Sequence, residues 1–370
     1  MKALFICATQ LQLFNDLIIL NKIIDHVEKV VFIVVGSRRG LENAANNLKK
    51  IEKVELISFA AEILDFRDRN KFSNIETIKI SLIDYLLHRL HVLRNTIEDK
   101  YYGSISYNIN KLSSILDCKF DYIYLSNYNS FDSWLVRKFS NKKTKVCAVD
   151  EGVSSYFSGR YRKFKRKLSK IYLHSPDLLI GNVGKRICVD GLNPDWSNLR
   201  LISWLKTIFP KAEDSYLSVQ TDCPIWIGQY FGKADPRGVM AKSHYKILNI
   251  FMDSLKGGGF VYRPHPEPFP ELDALVTRYS TLIYDAGGSI PFEVEILLGY
   301  RMIPMQIHTI SSTSAIYLYL INKEITRQTK SIFYYREFYR FMGVENPKID
   351  VFLKKVKSKF PDNIIIKGVN

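Results

Sequence analysis

The chain has 370 residues, 46% of them hydrophobic and 24% charged, with 53 Lys and Arg against 37 Asp and Glu for a formal charge of +16. That length exceeds what one hydrophobic core fills, so two α/β domains are expected, and the composition excludes a disordered chain. No apolar run reaches the roughly 18 residues of a membrane span and residues 1–2 lead straight into a strand rather than a signal peptide, so the expected location is the cytoplasm.

The surplus of positive charge favours an anionic partner: nucleic acid, lipid headgroups or a small anion. Five cysteines (Cys7, Cys118, Cys147, Cys188, Cys223) are widely spaced without a C-x-x-C pair. They predict neither a disulfide nor a zinc site, because free thiols in apolar runs act as small hydrophobes.

Residues 3–7 read as a strand, followed by Ala8-Thr9-Gln10 and helix-spaced Leu11, Phe14, Leu17 and Ile18, the first strand-to-helix unit of a doubly wound sheet. G-x-G-x-x-G is absent, so no dinucleotide fingerprint opens the chain. Strands follow over 30–35 and 54–57, then a long helical region over 75–116, then strands over 122–125 and 145–149. Ser126-Asn127-Tyr128 follows the first of these last two strands, where polar contacts to a ligand are expected.

The strand over 145–149 runs into Asp150-Glu151-Gly152. Adjacent carboxylates at a strand end can share a proton or hold a sugar hydroxyl, with one pKa raised by its neighbour, and the glycine permits a sharp turn or close backbone approach. As an isolated tripeptide, D-E-G is also a common turn.

Arg160, Arg162, Lys163, Lys165, Arg166 and Lys167 come next, interleaved with Tyr161, Phe164, Leu168 and Tyr172. On a helix the apolar members fall near one face, so the stretch reads either as a basic amphipathic surface helix suited to an anionic membrane or as a solvated face. No nucleic-acid recognition motif accompanies the charge, so nucleic acid is not expected. Residues 201–222 read as an interdomain linker, giving domains over 1–212 and 213–345 and a terminal segment over 346–370 that packs back.

The second domain opens with a strand over 225–227 ending in Gly228-Gln229, a helix over 239–255 and a glycine turn at 257–259. An apolar strand over 260–262 then leads into Arg263-Pro264-His265-Pro266. Prolines cannot continue a ladder, so His265 stands at the strand's carboxyl end, where open α/β sheets bind ligands. Flanking prolines restrict the backbone and hold the imidazole; a histidine capping a turn is the plainer reading.

After a helix over 272–279 and a strand over 282–284, Ile290-Pro291-Phe292-Glu293 opens a helix with an acid in its first turn, placed to complement the macrodipole or to bind ribose. A strand over 302–307 precedes Ser311-Ser312-Thr313-Ser314 and a helix over 315–320. Hydroxyls at a helix start are ordinary caps and also the simplest phosphate cradle. Helices over 331–342 and 351–360 complete the chain.

Three pieces in this order, D-E-G at 150–152, H-P at 265–266 and S-S-T-S at 311–314, resemble the bacterial sialyltransferases, specifically the lipooligosaccharide sialyltransferase family. The opening ALFICATQLQL, I-P-F-E at 290–293 and I-G-Q at 227–229 are also similar to that family. The resemblance implies a GT-B-like α/β fold of two Rossmann-type domains facing across a cleft, with no metal or other cofactor.

It also implies CMP-sialic acid as donor substrate, held mainly by the second domain. The acceptor is a galactose-ended glycan of lipooligosaccharide or capsule, lipid-linked at the inner face of the cytoplasmic membrane. His265 corresponds to the histidine at the CMP phosphate, Ser311 and Ser312 to the serines on that phosphate, and Glu293 to the acid on the ribose. Gly152, Gln229, Arg263, Pro266 and Thr313 stand in or beside the same motifs and are assigned to substrate binding.

The departing phosphate gains charge, which an imidazolium, hydroxyls and helix N–H groups stabilise. The base that deprotonates the acceptor is either Asp235, slightly favoured, or the Asp150-Glu151 pair. Two rival readings stay open: a GT-B transferase using another nucleotide sugar, and a non-catalytic basic protein bound to lipid or nucleic acid through 160–170. Homodimerisation is left open.

Overall fold

The computed structural model describes residues 1–35, 40–59, 96, 118–126, 130–164, 167–211, 223–229, 239–256, 258–265, 282–284, 290–321 and 328–368. Expectations for the helices over 75–116 and 272–279, and for Asn127, Tyr128, Lys165, Arg166, Asp235 and Pro266, lie outside the described residues. The chain forms two compact units, Met1–Ile208 and Phe209–Asn370.

In the first unit the strands are β1 (Lys2–Cys7), β2 (Lys29–Val35), β3 (Val54–Phe59), β4 (Tyr122–Leu125), β5 (Lys145–Val149), β6 (Leu168–Leu173) and β7 (Cys188–Gly191). They form one sheet in the order β3-β2-β1-β4-β5-β6-β7, and all the pairings are parallel. Continuous apolar runs such as KVVFIVV dictate this, since only a sheet covered on both faces buries every side chain of such a strand. At its centre Phe5 stacks on Phe32 at 4.7 Å and on Tyr124 at 4.6 Å.

Helices α1 (Gln10–Ile23), α2 (Leu41–Leu48), α3 (Ser130–Phe139) and α4 (Leu199–Ile208) connect or cover these strands. Thr9 starts α1 by accepting a hydrogen bond from Gln12 N at 3.1 Å. Every residue from Gln12 to Asn21 is buried, polar ones included.

The second unit repeats the winding with β8 (Ile225–Ile227), β9 (Phe260–Arg263), β10 (Leu282–Tyr284), β11 (Gln306–Thr309), β12 (Lys330–Phe333) and β13 (Ile364–Ile366). Their order is β10-β9-β8-β11-β12-β13, again parallel throughout. Among the described residues its helices are α5 (Val239–Ser254), α6 (Phe292–Leu297), α7 (Ser314–Ile321), α8 (Tyr335–Phe341) and α9 (Pro347–Lys359). Trp226 fills the core against Phe251 at 5.1 Å and Tyr334 at 5.5 Å, and its indole N–H donates to His244 Nε2 at 3.1 Å. Burial pushes His244 down to about 3, which keeps that nitrogen an acceptor.

Several expected elements take another form. The stretch 160–170 is no amphipathic helix: Ser158–Phe164 is a 3-10 helix and Leu168–Leu173 is β6. The alternating side chains of LSKIYL pair with strands on either side, and Lys170 turns to the Asp190 carboxylate of β7 at 2.7 Å. Sheet pairing prevails over a short helical spacing. The membrane face assigned to Arg160, Arg162, Lys163 and Lys167 is therefore not built as one helix, and Lys167 instead donates to Ser140 Oγ at 3.3 Å.

The first half of the expected linker is α4, whose Leu201, Leu205 and Ile208 are buried in the first unit. The helix expected from residue 331 begins as β12, and 346–370 is integral to the second unit, ending in the edge strand β13. Among the described residues no helix is long and apolar enough to cross a membrane.

Candidate functional site

Strand order reverses between β1 and β4 in the first unit and between β8 and β11 in the second. Crevices at the carboxyl ends of strands flanking such a reversal are where open α/β sheets take ligands. In the second unit β8 lies between β9 and β11, with Ile227 opposite Arg263 and His308 opposite Trp226. Neighbouring strands lie roughly 4.8 Å apart, so the ends of β9 and β11 are separated by about 10 Å.

Gly228 N, just past β8, donates to Arg263 O at 2.8 Å. A Cβ on Gly228 would sit 3.0 Å from Tyr262 Oη and 3.2 Å from both Arg263 O and His265 N. A side chain here would crowd the segment that carries His265, so the glycine lets the end of β8 lie close to it.

The next side chain, Gln229, crosses to the other flank. Its Oε1 accepts from Ser311 N at 2.9 Å and from Ser311 Oγ at 3.0 Å. Ser312 N donates to Thr309 Oγ1 at 3.1 Å, and Thr313 O accepts from Ile316 N and Tyr317 N, both at 2.9 Å, opening α7. His265, Gln229, Ser311, Ser312 and Thr313 thus occupy one rim of the second sheet.

Arg263 does not face this rim. It is buried and donates to Glu295 at 2.7 and 3.1 Å and to Ile290 O at 2.8 Å, while Arg301 Nε reaches the same Glu295 at 2.8 Å. Both guanidiniums lie over the Phe292 ring, at 5.3 and 5.7 Å. The assignment of Arg263 to the donor is corrected accordingly: a buried guanidinium needs its carboxylate, and this one fastens β9 to α6.

Glu293 is also enclosed, at 1% exposure. Burial pushes its carboxyl up, and a hydrogen bond with the Ser314 side chain offsets this in part. It braces the first turn of α6 against the first residue of α7.

In the first unit the two carboxylates of D-E-G part company. Asp150, 0% exposed, accepts from Tyr156 Oη at 2.8 Å, Gly152 N at 3.1 Å and His174 N at 3.2 Å. Glu151 accepts from Gln12 Nε2 at 2.7 Å, Ser154 Oγ at 3.2 Å and the Arg160 guanidinium. Separate sets of donors hold the two carboxylates; burial pushes the Glu151 carboxyl up, and Arg160 is the main opposing influence.

Arg160, expected on a membrane face, reaches inward to Glu151 and to Ser126 O at 2.9 Å. The turn between these groups rests on Gly152, whose φ of 137° other residues rarely adopt.

Sequence reasoning missed the groups supporting this acidic turn. Asn15 Nδ2 donates to Asp150 O at 2.8 Å, and Asn15 Oδ1 meets His174 Nε2 at 2.8 Å. The amide orientation makes Oδ1 an acceptor, so the His174 proton resides on Nε2; burial pushes this ring down to about 3, keeping it neutral. Gln12 Oε1 in turn accepts from Ala8 N at 2.6 Å. The signal was legible: Gln12, Asn15 and Asp16 interrupt an apolar helix directly after β1.

Among the described residues no three His, Cys, Asp or Glu side chains are grouped to hold a metal. No protein-family model and no curated protein sequence matches the chain. Solved structures do.

The UDP-GlcNAc 2-epimerase of Neisseria meningitidis bound to UDP-GlcNAc is similar at 11% identity, over 98% of this chain and 93% of its own, with a TM-score of 0.52. S. aureus MnaA with UDP gives 10% identity over 96% and 87%, with a TM-score of 0.52. Arabidopsis thaliana UGT89C1 complexed with UDP gives 10% over 99% and 86%, also with a TM-score of 0.52. At such identity the likeness carries the fold: α/β, GT-B-like, with two doubly wound parallel units.

Proposed function

We propose that this chain is a glycosyltransferase that moves sialic acid from CMP-sialic acid to a galactose-ended glycan, with inversion and without a metal. The observation that supports it best is the rim of the second unit, where Gln229 bonds the start of the S-S-T-S segment and the His265 backbone lies beside Gly228 at the strand-order reversal. The motif order that resembles the lipooligosaccharide sialyltransferases supplies the choice of donor.

In this reading the CMP phosphate lies on that rim. Charge grows on it as the bond to the anomeric carbon breaks, and His265 with the hydroxyl and N–H groups at the start of α7 stabilises the leaving group. The acceptor hydroxyl attacks the opposite face, and its proton passes to a carboxylate, Asp235 in this reading. Asp150 is excluded from that role, since its carboxylate is enclosed by Tyr156, Gly152 and His174. The acceptor is lipid-linked, which would place the enzyme peripherally at the inner face of the cytoplasmic membrane.

A second reading, a transferase using a UDP-sugar, is favoured by the UDP and UDP-GlcNAc held by the similar solved structures. Purified protein incubated with CMP-sialic acid or with UDP-sugars, with and without a galactose-ended acceptor, separates the two. The first reading expects slow CMP release that acceptor accelerates, insensitivity to chelator, and at least a hundredfold loss of turnover in His265→Ala. UDP release alone would establish the second reading, and inertness toward every donor would overturn both.

A further inference from the structure

We infer that Gln229 is a ligand-reading residue that presents its amide nitrogen to an oxyanion, with Ser311 as the positioning residue that sets the amide's orientation. The inference rests on the nucleotide-sugar reading above and assigns the phosphate contact to a different side chain from the one the motif suggests.

A backbone N–H cannot accept, so the Gln229 atom 2.9 Å from Ser311 N is the carbonyl oxygen, and the Ser311 hydroxyl 3.0 Å away supplies a second donor to it. Two donors on one oxygen prevent the amide from flipping. Nε2, opposite that oxygen, makes no hydrogen bond among the described residues, and the residue is half-buried rather than enclosed.

A primary amide nitrogen donates two hydrogen bonds and accepts none, so its natural partner is a phosphate or carboxylate oxygen. Ser311 is poorly placed to hold a phosphate itself: it is 8% exposed, and both its donors are engaged. Gly228 seats the neighbouring backbone against His265 N, so Gln229 and His265 both follow strand ends on one rim of the sheet. Ser312, whose N–H is taken by Thr309, has a hydroxyl without a partner among the described residues and supplies a further donor.

The test is calorimetric titration of the full chain with CMP, cytidine, free sialic acid and UDP, each variant first checked for an unchanged melting profile. Gln229→Ala is expected to weaken CMP about tenfold, the worth of one hydrogen bond to a charged group. Gln229→Glu, which sets a carboxylate against the phosphate, is expected to weaken it further, with cytidine unaffected by either change. Ser311→Thr keeps both donors and should retain affinity, whereas Ser311→Ala should fall between wild type and Gln229→Ala.

A Gln229→Ala protein that binds CMP as tightly as wild type would overturn the inference, showing that the amide merely fills the rim. Equal losses for CMP and cytidine would also overturn it, and losses confined to sialic acid would move the contact to the sugar carboxylate and overturn the phosphate assignment. Gln229-dependent binding of UDP without CMP binding would remove the CMP donor and leave the inference standing. A wild type that binds neither nucleotide overturns both.

Discussion

Asp16 is the most demanding single residue in the first unit. It is 0% exposed on α1, and neither carboxylate oxygen has a hydrogen-bond partner among the described residues. Desolvation pushes its carboxyl well above the usual aspartate range, and its proximity helps push the Cys7 thiol up as well. The fold therefore prefers the protonated acid. Stability from this group is complete at pH below the unfolded aspartate value and is lost as pH rises through that value toward the folded one. Asp16→Asn keeps the volume and removes the titration, so its denaturation midpoint should exceed wild type at pH 7.5 and approach it near pH 4. Urea titrations across that range measure it, and parallel curves for the two proteins would show that Asp16 is already neutral or paired in both states. Residues of this kind are visible in sequence only as a polar letter inside an apolar helix.

At the scale of elements, the site depends on how closely β8 ends against β9. The atoms 3.0 to 3.2 Å from a Cβ on Gly228 include backbone, which cannot rotate away as a flexible side chain would. Gly228→Ala is expected to push Gln229 and His265 apart, lowering stability by about 1–3 kcal/mol through overpacking and weakening nucleotide binding more than tenfold. Binding unchanged at reduced stability would mean that the rim tolerates the shift. Elements with continuous apolar runs, β2, β5 and β8 among them, were readable from composition alone because burial on both faces leaves no room for polar alternation. By contrast, β6 was read as helix: its Lys170 and Ser169 look like a solvated face until β5 and β7 stand on either side, with Ser169 Oγ donating to Val146 O at 2.9 Å and Lys170 paired to Asp190. Likewise β12 and β13 are short, and their apolar residues fit a helix equally well until each pairs with a neighbour.

At the scale of the molecule, each unit has its own doubly wound sheet and its own core, one around Phe5, Phe32 and Tyr124, the other around Trp226, Phe251 and Tyr334. Fragments 1–208 and 209–370 should each melt cooperatively when expressed alone, since a unit with a complete core folds independently. Calorimetry measures this, and a fragment without a heat-absorption peak would make its fold dependent on the other half. The amino-acid sequence by itself determined the alternation of buried strand and helix, the parallel class of both sheets, and the strand ends where D-E-G, H-P and S-S-T-S stand, because these follow from short-range apolar patterning and from residues that cannot continue a strand. Only the tertiary structure decided the partners: Gln229 with Ser311 across 82 positions, Gln12 with Glu151 across 139, Arg263 with Glu295 across 32. Which side chains meet depends on which strands become neighbours when the winding reverses, and that is settled by packing the whole sheet rather than by any local stretch.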